Sequence, residues 1–112
     1  MIQKIFGYVV LHNRKKQVHL TPLKKVFGKK FDVHNNRGSI ISDDNHTTLD
    51  TLLNDLIDNY HLLKKSKVED MSIYIILKYK EQANWSVSPE QMNKLSFLNA
   101  VLCVTAYEAS DE

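Results

Sequence analysis

Apolar residues recur along this chain in two periods, and each period predicts a kind of element. In TTLDTLLNDLIDNYHLLKK (47–65), Leu49, Leu52, Leu53, Leu56, Ile57 and Tyr60 return at helical spacing. They form one stripe, the mark of an amphipathic helix with one face on a core. Thr47 with Asp50 three residues later resembles a capping box, Asp standing for the usual Glu or Gln. Acids early and lysines late suit the helix dipole. In MSIYIILKYK (71–80) the period drops to two. Met71, Ile73, Ile75, Leu77 and Tyr79 alternate with a mixed face, which predicts a central strand with one well-buried side. KIFGYVVLH (4–12) is rich in aromatic and β-branched residues and predicts a first strand. AVLCVTAY (100–107) is apolar on both faces and predicts another interior strand.

Between these lie shorter signals. HNRKKQ makes a charged turn, and QVHL either extends pairing or leads into the next element. TPLKKVFG (21–28) predicts a short helix, with Thr21 as cap, Pro22 in the first turn and Gly28 closing the end. FDVHNNRGSIIS (31–42) predicts one or two short strands around an Asn-Asn-Arg-Gly turn. In NWSVSPEQMNKLSFLNA (84–100), Ser88 caps, Pro89 takes the first helical position and Gln91 completes a capping box. Met92, Leu95 and Leu98 supply the buried stripe and Asn99 the stop. Capping thus accounts for Ser88 and Glu90 without a nucleophile, which would need a partnered base and an oxyanion site. The stretch reads as a crossover helix between two strands.

Together these elements predict an α+β fold. The expectation is one two-layer domain over 1–112, with a sheet of about four strands, antiparallel or mixed. Two to three helices pack on one face, and a βαβ-like crossover closes the chain.

Length and composition add limits. One hundred and twelve residues suit a single core. No apolar run approaches the roughly 20 residues that cross a bilayer, and the opening MIQKIFGYVVLH has no cleavage pattern of a signal peptide. Cys103 is the only cysteine, so no internal disulfide forms, and an apolar strand around it predicts a buried structural thiol. These features predict a cytoplasmic protein with no membrane association.

The candidate chemistry is sparse. His12, His19, His34, His46 and His61 show no His-x-His or His-x₃-His pair, although His12 and His19 could face each other across a hairpin. Asp43 and Asp44 could share a divalent cation, yet acids before a helix serve its dipole equally well. The three glycines, at 7, 28 and 38, make no phosphate loop. No acid, base and nucleophile cluster at recognisable spacing, so the expectation is no enzyme, no metal and no cofactor.

Charge is more informative. Residues 1–40 hold nine lysines and arginines against one acid, and the remainder six against twelve. Arg14, Lys15, Lys16, Lys24, Lys25, Lys29, Lys30 and Arg37 lie close in sequence, with Phe27 and Phe31 among them. Lysine with interspersed aromatics can follow a nucleic-acid backbone, and a solvated basic face is the plainer reading. Trp85, Tyr74, Tyr79 and Tyr107 can anchor an interface where exposed or fill the core where not.

The segment SIYIILKYKEQANWSVSPEQMNKLSFLNAVLCVTAYEASDE resembles the bacterial domain-of-unknown-function 4279 family. The likeness is carried by Trp85-Ser86-Val87-Ser88-Pro89-Glu90 and by Leu95, Leu98, Ala100, Leu102, Val104 and Tyr107. TTLDTLLNDLIDNYHLLKK is similar to that family's middle helix, and LTPLKKVFGKKFDV matches its first helix more loosely. Ala106 stands where the family often has an aspartate. The resemblance implies a small α+β protein of the immunity type, which binds and neutralises a cognate bacterial toxin by occluding its active or target-binding surface. The partner-binding residues expected for such a role are Arg14, Lys15, Lys16, Lys29, Lys30, Arg37 and Trp85, or else the acids Asp50, Asp55 and Asp58 on the middle helix. The alternative expectation is a small RNA-binding protein that uses the basic 14–37 segment.

Overall fold

The computed structural model describes residues 2–34, 37–42 and 48–109. In chain order the elements are β1 (Ile2–His12), α1 (Leu20–Phe27), β2 (Phe31–His34), β3 (Arg37–Ser42), α2 (Thr48–Asp58), α3 (Tyr60–Lys65), β4 (Asp70–Tyr79), α4 (Pro89–Leu98) and β5 (Val101–Glu108). A single turn of 3₁₀ helix, Gly28–Lys30, joins α1 to β2.

The strands form one mixed sheet in the order β2-β3-β1-β4-β5. The β1, β3, β2 and β4 pairings are antiparallel, and β4 and β5 run parallel across the α4 crossover. The α+β, two-layer expectation holds, with five strands and four α-helices instead of about four and two to three. The additional strand arises because 31–42 folds as a hairpin, β2 with β3. The additional helix arises because 47–65 breaks at Asn59 (φ −114°, ψ 21°). There the Asn59 side-chain amide donates to the Asp55 carbonyl at 2.9 Å, the acceptor its own N–H would use in an unbroken helix.

Period two in β1 and β4 sorts the two faces. Gly7, Val9 and Leu11 of β1 and Met71, Ile73, Ile75 and Leu77 of β4 are buried under the helices. They join Leu23 and Phe27 of α1, Leu49, Leu52, Leu53 and Leu56 of α2, Leu63 of α3 and Leu98 of α4 in one core. Helix α2 approaches closely because residue 7 is glycine: a Cβ there would sit 3.0 Å from Thr48 Cγ2 and 2.9 Å from Ile75 Cδ1. Thr48 Oγ1 donates to the Ile5 carbonyl at 3.4 Å, so its burial leaves the hydroxyl satisfied.

Helix ends follow their signals unevenly. Ser88 Oγ accepts from the Gln91 N–H at 3.1 Å and Gln91 Oε1 accepts from the Ser88 N–H at 2.9 Å, the full capping box. Asn99 closes α4 in the left-handed region (φ 52°, ψ 41°). Helix α1 starts one residue before Thr21, with His19 at its cap and no side-chain cap bond. Thr47, Asp43, Asp44, His46 and the Asn35-Asn36 turn lie outside the described residues.

Three expectations are corrected. Residues 101–108 form a strand, but β5 is the last of the sheet and not interior. Helix α4 leans on α2 through Gln91–Asp50 (2.9 Å) and Lys94–Asn54 (3.0 Å). Val104, on the helix side of β5, stays 46% exposed. Cys103 is accordingly only half-buried, on the opposite side of that strand from the helices. His12 and His19 do not meet across a hairpin, since residues 13–19 lead from β1 into α1.

Candidate functional site: an uncovered sheet face and a basic corner

All four α-helices pack on one side of the sheet, so the other side carries no element among the described residues. Register places its residues in rows. Tyr8 of β1 lies beside Tyr74 of β4 and Cys103 of β5, while Phe6 lies beside Ile76 and Thr105. Val10 lies beside Ser72 and Val101, and Lys4 beside Lys78 and Tyr107. The Tyr8 and Tyr74 rings stack with centroids 4.8 Å apart and planes 15° apart. Lys4 Nζ sits 5.7 Å from the Phe6 ring centroid, a cation over an aromatic face. Aromatic and aliphatic groups therefore occupy the middle and lysines one end.

The other end is polar. His12 and Asp70 are in register at the ends of β1 and β4, and His12 Nδ1 and, just beyond the strand, Arg14 Nε each lie 3.8 Å from Asp70 Oδ2. Both distances are too long for hydrogen bonds, and Arg14 with Asp70 makes an ion pair. Arg14 is 84% exposed, so the pair adds little stability. No group of three or more His, Cys, Asp or Glu close enough to hold a metal occurs among the described residues.

The predicted basic residues divide between two places. Asn13 Oδ1 accepts from the N–H groups of Lys15 and Lys16 at 2.9 and 3.0 Å, which folds the turn after β1. This turn borders a shallow depression lined by Lys15, Lys16, Lys64, Lys67 and Glu69. Lys29 and Lys30 lie in the 3₁₀ turn, where Lys30 Nζ is 3.9 Å from Asp55 Oδ2. Arg37 is placed by its backbone alone, opposite His34 in the β2–β3 pair, and its side chain is outside what the structure describes.

The predicted acidic residues are less available. Asp50 Oδ1 accepts from Gln91 Nε2, and Asp55 faces Lys30, so only Asp58 points freely exposed from the end of α2. Trp85 is half-buried against the core and borders a depression with Ala83, Asn84, Ser86 and Gln91.

Sequence reasoning missed Lys64 and Lys67 as members of the basic corner. Lys67 is also conformationally unusual, with φ at 69°. It follows α3 in a Schellman turn: Val68 N–H donates to Leu63 O at 3.0 Å, and Lys67 N–H to Lys64 O at 3.1 Å. Asn13 Nδ2 donates to the Lys67 carbonyl at 2.9 Å and ties that turn to the one after β1. Glycine is the usual residue at such a position, and a lysine there costs about 1 kcal/mol. Alternation identified the buried side of 71–80, Met71, Ile73, Ile75 and Leu77, but not that the opposite side of the sheet is left without a covering element.

No helix among the described residues is long and apolar enough to cross a membrane. Comparison of the chain with family models, curated proteins and solved structures gives no match.

Proposed function

We propose that this chain is a protein-binding module of the immunity type, one that binds a cognate bacterial toxin and neutralises it by covering the toxin's active or target-binding surface. The observation that carries this reading is the uncovered sheet face. Its centre of Phe6, Tyr8, Tyr74 and Ile76, with lysines at one end and Arg14 at the other, has the make-up of an interface core inside a charged rim. Tyrosines are frequent hot-spot residues because a rigid ring is desolvated while the hydroxyl keeps a polar contact. Lys4 and Lys78 would steer an acidic partner surface and fix its orientation. The mechanism is steric and electrostatic and involves no bond-making step.

The test is affinity capture from a native bacterial lysate with tagged wild type and with Tyr74→Lys, washed at low salt and then at about 0.5 M, where screening reaches only a few ångströms. A stoichiometric protein that survives the second wash on wild type, is lost with Tyr74→Lys, and is toxic when expressed without this chain supports the reading. Capture unchanged by the substitution refutes the sheet face as the contact.

A second reading, RNA binding, is favoured by one observation: Lys64 and Lys67 join Lys15 and Lys16 in a single corner. Nucleic acid that elutes between the two washes, with no protein retained, would replace the first reading with this one.

A further inference from the structure

The two edges of the sheet are built differently. Edge strand β2 is four residues long, carries Asp32, and follows Lys29 and Lys30. Short length and nearby charge are the usual protections against pairing with another chain. Edge strand β5 has none of them. It runs eight residues as VLCVTAYE, with no charge before Glu108 and no proline. Val101, Val104 and Tyr107 are 58%, 46% and 44% exposed. Apolar on both faces, it has the composition of an interior strand in the position of an edge.

Its backbone is also directed outward. The Ala109 N–H donates to the Tyr79 carbonyl at 2.7 Å, so residue 109 faces β4. Alternation along the strand then turns the amides and carbonyls of Leu102, Val104, Ala106 and Glu108 to the free edge. No strand among the described residues meets them.

We propose that β5 pairs antiparallel with β5 of a second copy of this chain, around a two-fold axis at Val104, to give a continuous ten-stranded sheet. The occupant is a second copy because an uncharged strand is compatible with itself, whereas a strand bearing charge at its centre would repel its own image. The axis is fixed by three conditions. Hydrogen-bonded pairs must join outward-facing residues, Glu108 must stay outside the paired segment, and the paired segment must be as long as β5 then allows. Centring on Val104 meets all three, pairing 101–107, whereas centring on Cys103 would pair only 101–105. It sets Val101 against Tyr107, Leu102 against Ala106, Cys103 against Thr105, and Val104 against its own counterpart. Centring on Thr105 would instead place Glu108 against Leu102. The axis stands perpendicular to the sheet, so both helix layers lie on one side and both tyrosine faces on the other. One strand edge buries less than the roughly 800 Å² per subunit of a standard interface, so the dimer dissociates in the micromolar range. This assembly is independent of toxin binding.

The test is sedimentation velocity of the full chain across concentration, with circular dichroism to check folding. Wild type is expected to pass from monomer to dimer between about 1 and 100 µM. Val104→Lys puts two like charges at the axis and should weaken the dimer at least about 100-fold. Val33→Lys makes the same change on β2, also at an exposed position (43%), and should leave the dimer unchanged. A second readout does not depend on weakening: Val104→Cys in a Cys103→Ser background should oxidise to a covalent dimer, since opposed residues of a hydrogen-bonded pair have Cα atoms about 5.5 Å apart. A wild type monomeric throughout, a dimer lost equally with Val33→Lys, or open-ended oligomers in place of dimers would each overturn the proposal.

Discussion

Phe31 lays its ring over Gly38 across the β2–β3 pair, on the helix side of the sheet. A Cβ at position 38 would overlap the far edge of that ring. The ring in turn stacks on Phe27, with centroids 6.2 Å apart. This glycine is therefore set by close approach and not by a turn. Gly38→Ala should destabilise the fold by about 1–3 kcal/mol through overpacking. Urea denaturation reads the midpoint, and a Gly38→Ala, Phe31→Leu double variant should recover part of the loss.

The capping box of α4 gives a second expectation. Ser88→Ala removes the acceptor for the Gln91 N–H and should cost about 1 kcal/mol. Gln91→Ala should cost more than a cap partner alone, because it also leaves Asp50 without its donor. The midpoints of the two variants in urea decide the order.

Lys67 should behave in two opposite ways. Lys67→Gly relieves a left-handed lysine and should raise stability by about 0.5–1 kcal/mol. If the corner it shares with Lys15, Lys16 and Lys64 binds an anionic partner, the same substitution lowers the salt dependence of that binding by about one phosphate contact. Thermal melts and salt titrations on one preparation measure both.

The Tyr8–Tyr74 stack should be worth about 0.5–1.5 kcal/mol beyond the surface it covers. A double-mutant cycle with Tyr8→Ala and Tyr74→Ala isolates that coupling. A coupling near zero would show the two rings to be independent contact residues.

Much of the fold is legible in the sequence. Alternation in 71–80 marked a central strand, aromatic and β-branched composition in 4–12 marked a first strand, and Ser88, Pro89, Gln91 and Asn99 bounded α4 because caps act within a few residues. What failed was non-local. AVLCVTAY reads as interior from composition, but its place in the sheet depends on which strands pair with it, and among the described residues only β4 does. The stripe of 47–65 is continuous, yet one side-chain amide at Asn59 competes for a backbone acceptor and divides it. The basic segment 14–37 reads in sequence as a basic face, whereas Asp55 pairs with Lys30 and two lysines distant in sequence join Lys15 and Lys16. Spacing records neighbours along the chain, and ion pairs are decided by neighbours across it.

The central pairing has a consequence for how the chain comes together in time. Strand β1 is hydrogen-bonded on one side to β3 and on the other to β4, from which it is separated by α1, β2, β3, α2 and α3. As the chain leaves the ribosome, β1 can pair first with β3, Val9 beside Ile40 and Leu11 beside Gly38, while its other edge waits for β4. Closing the longer β1–β4 loop is therefore the later and slower step. Until it closes, the β4-facing side of KIFGYVVLH is an open strand edge at the centre of the future sheet, the place where mispairing has most to gain.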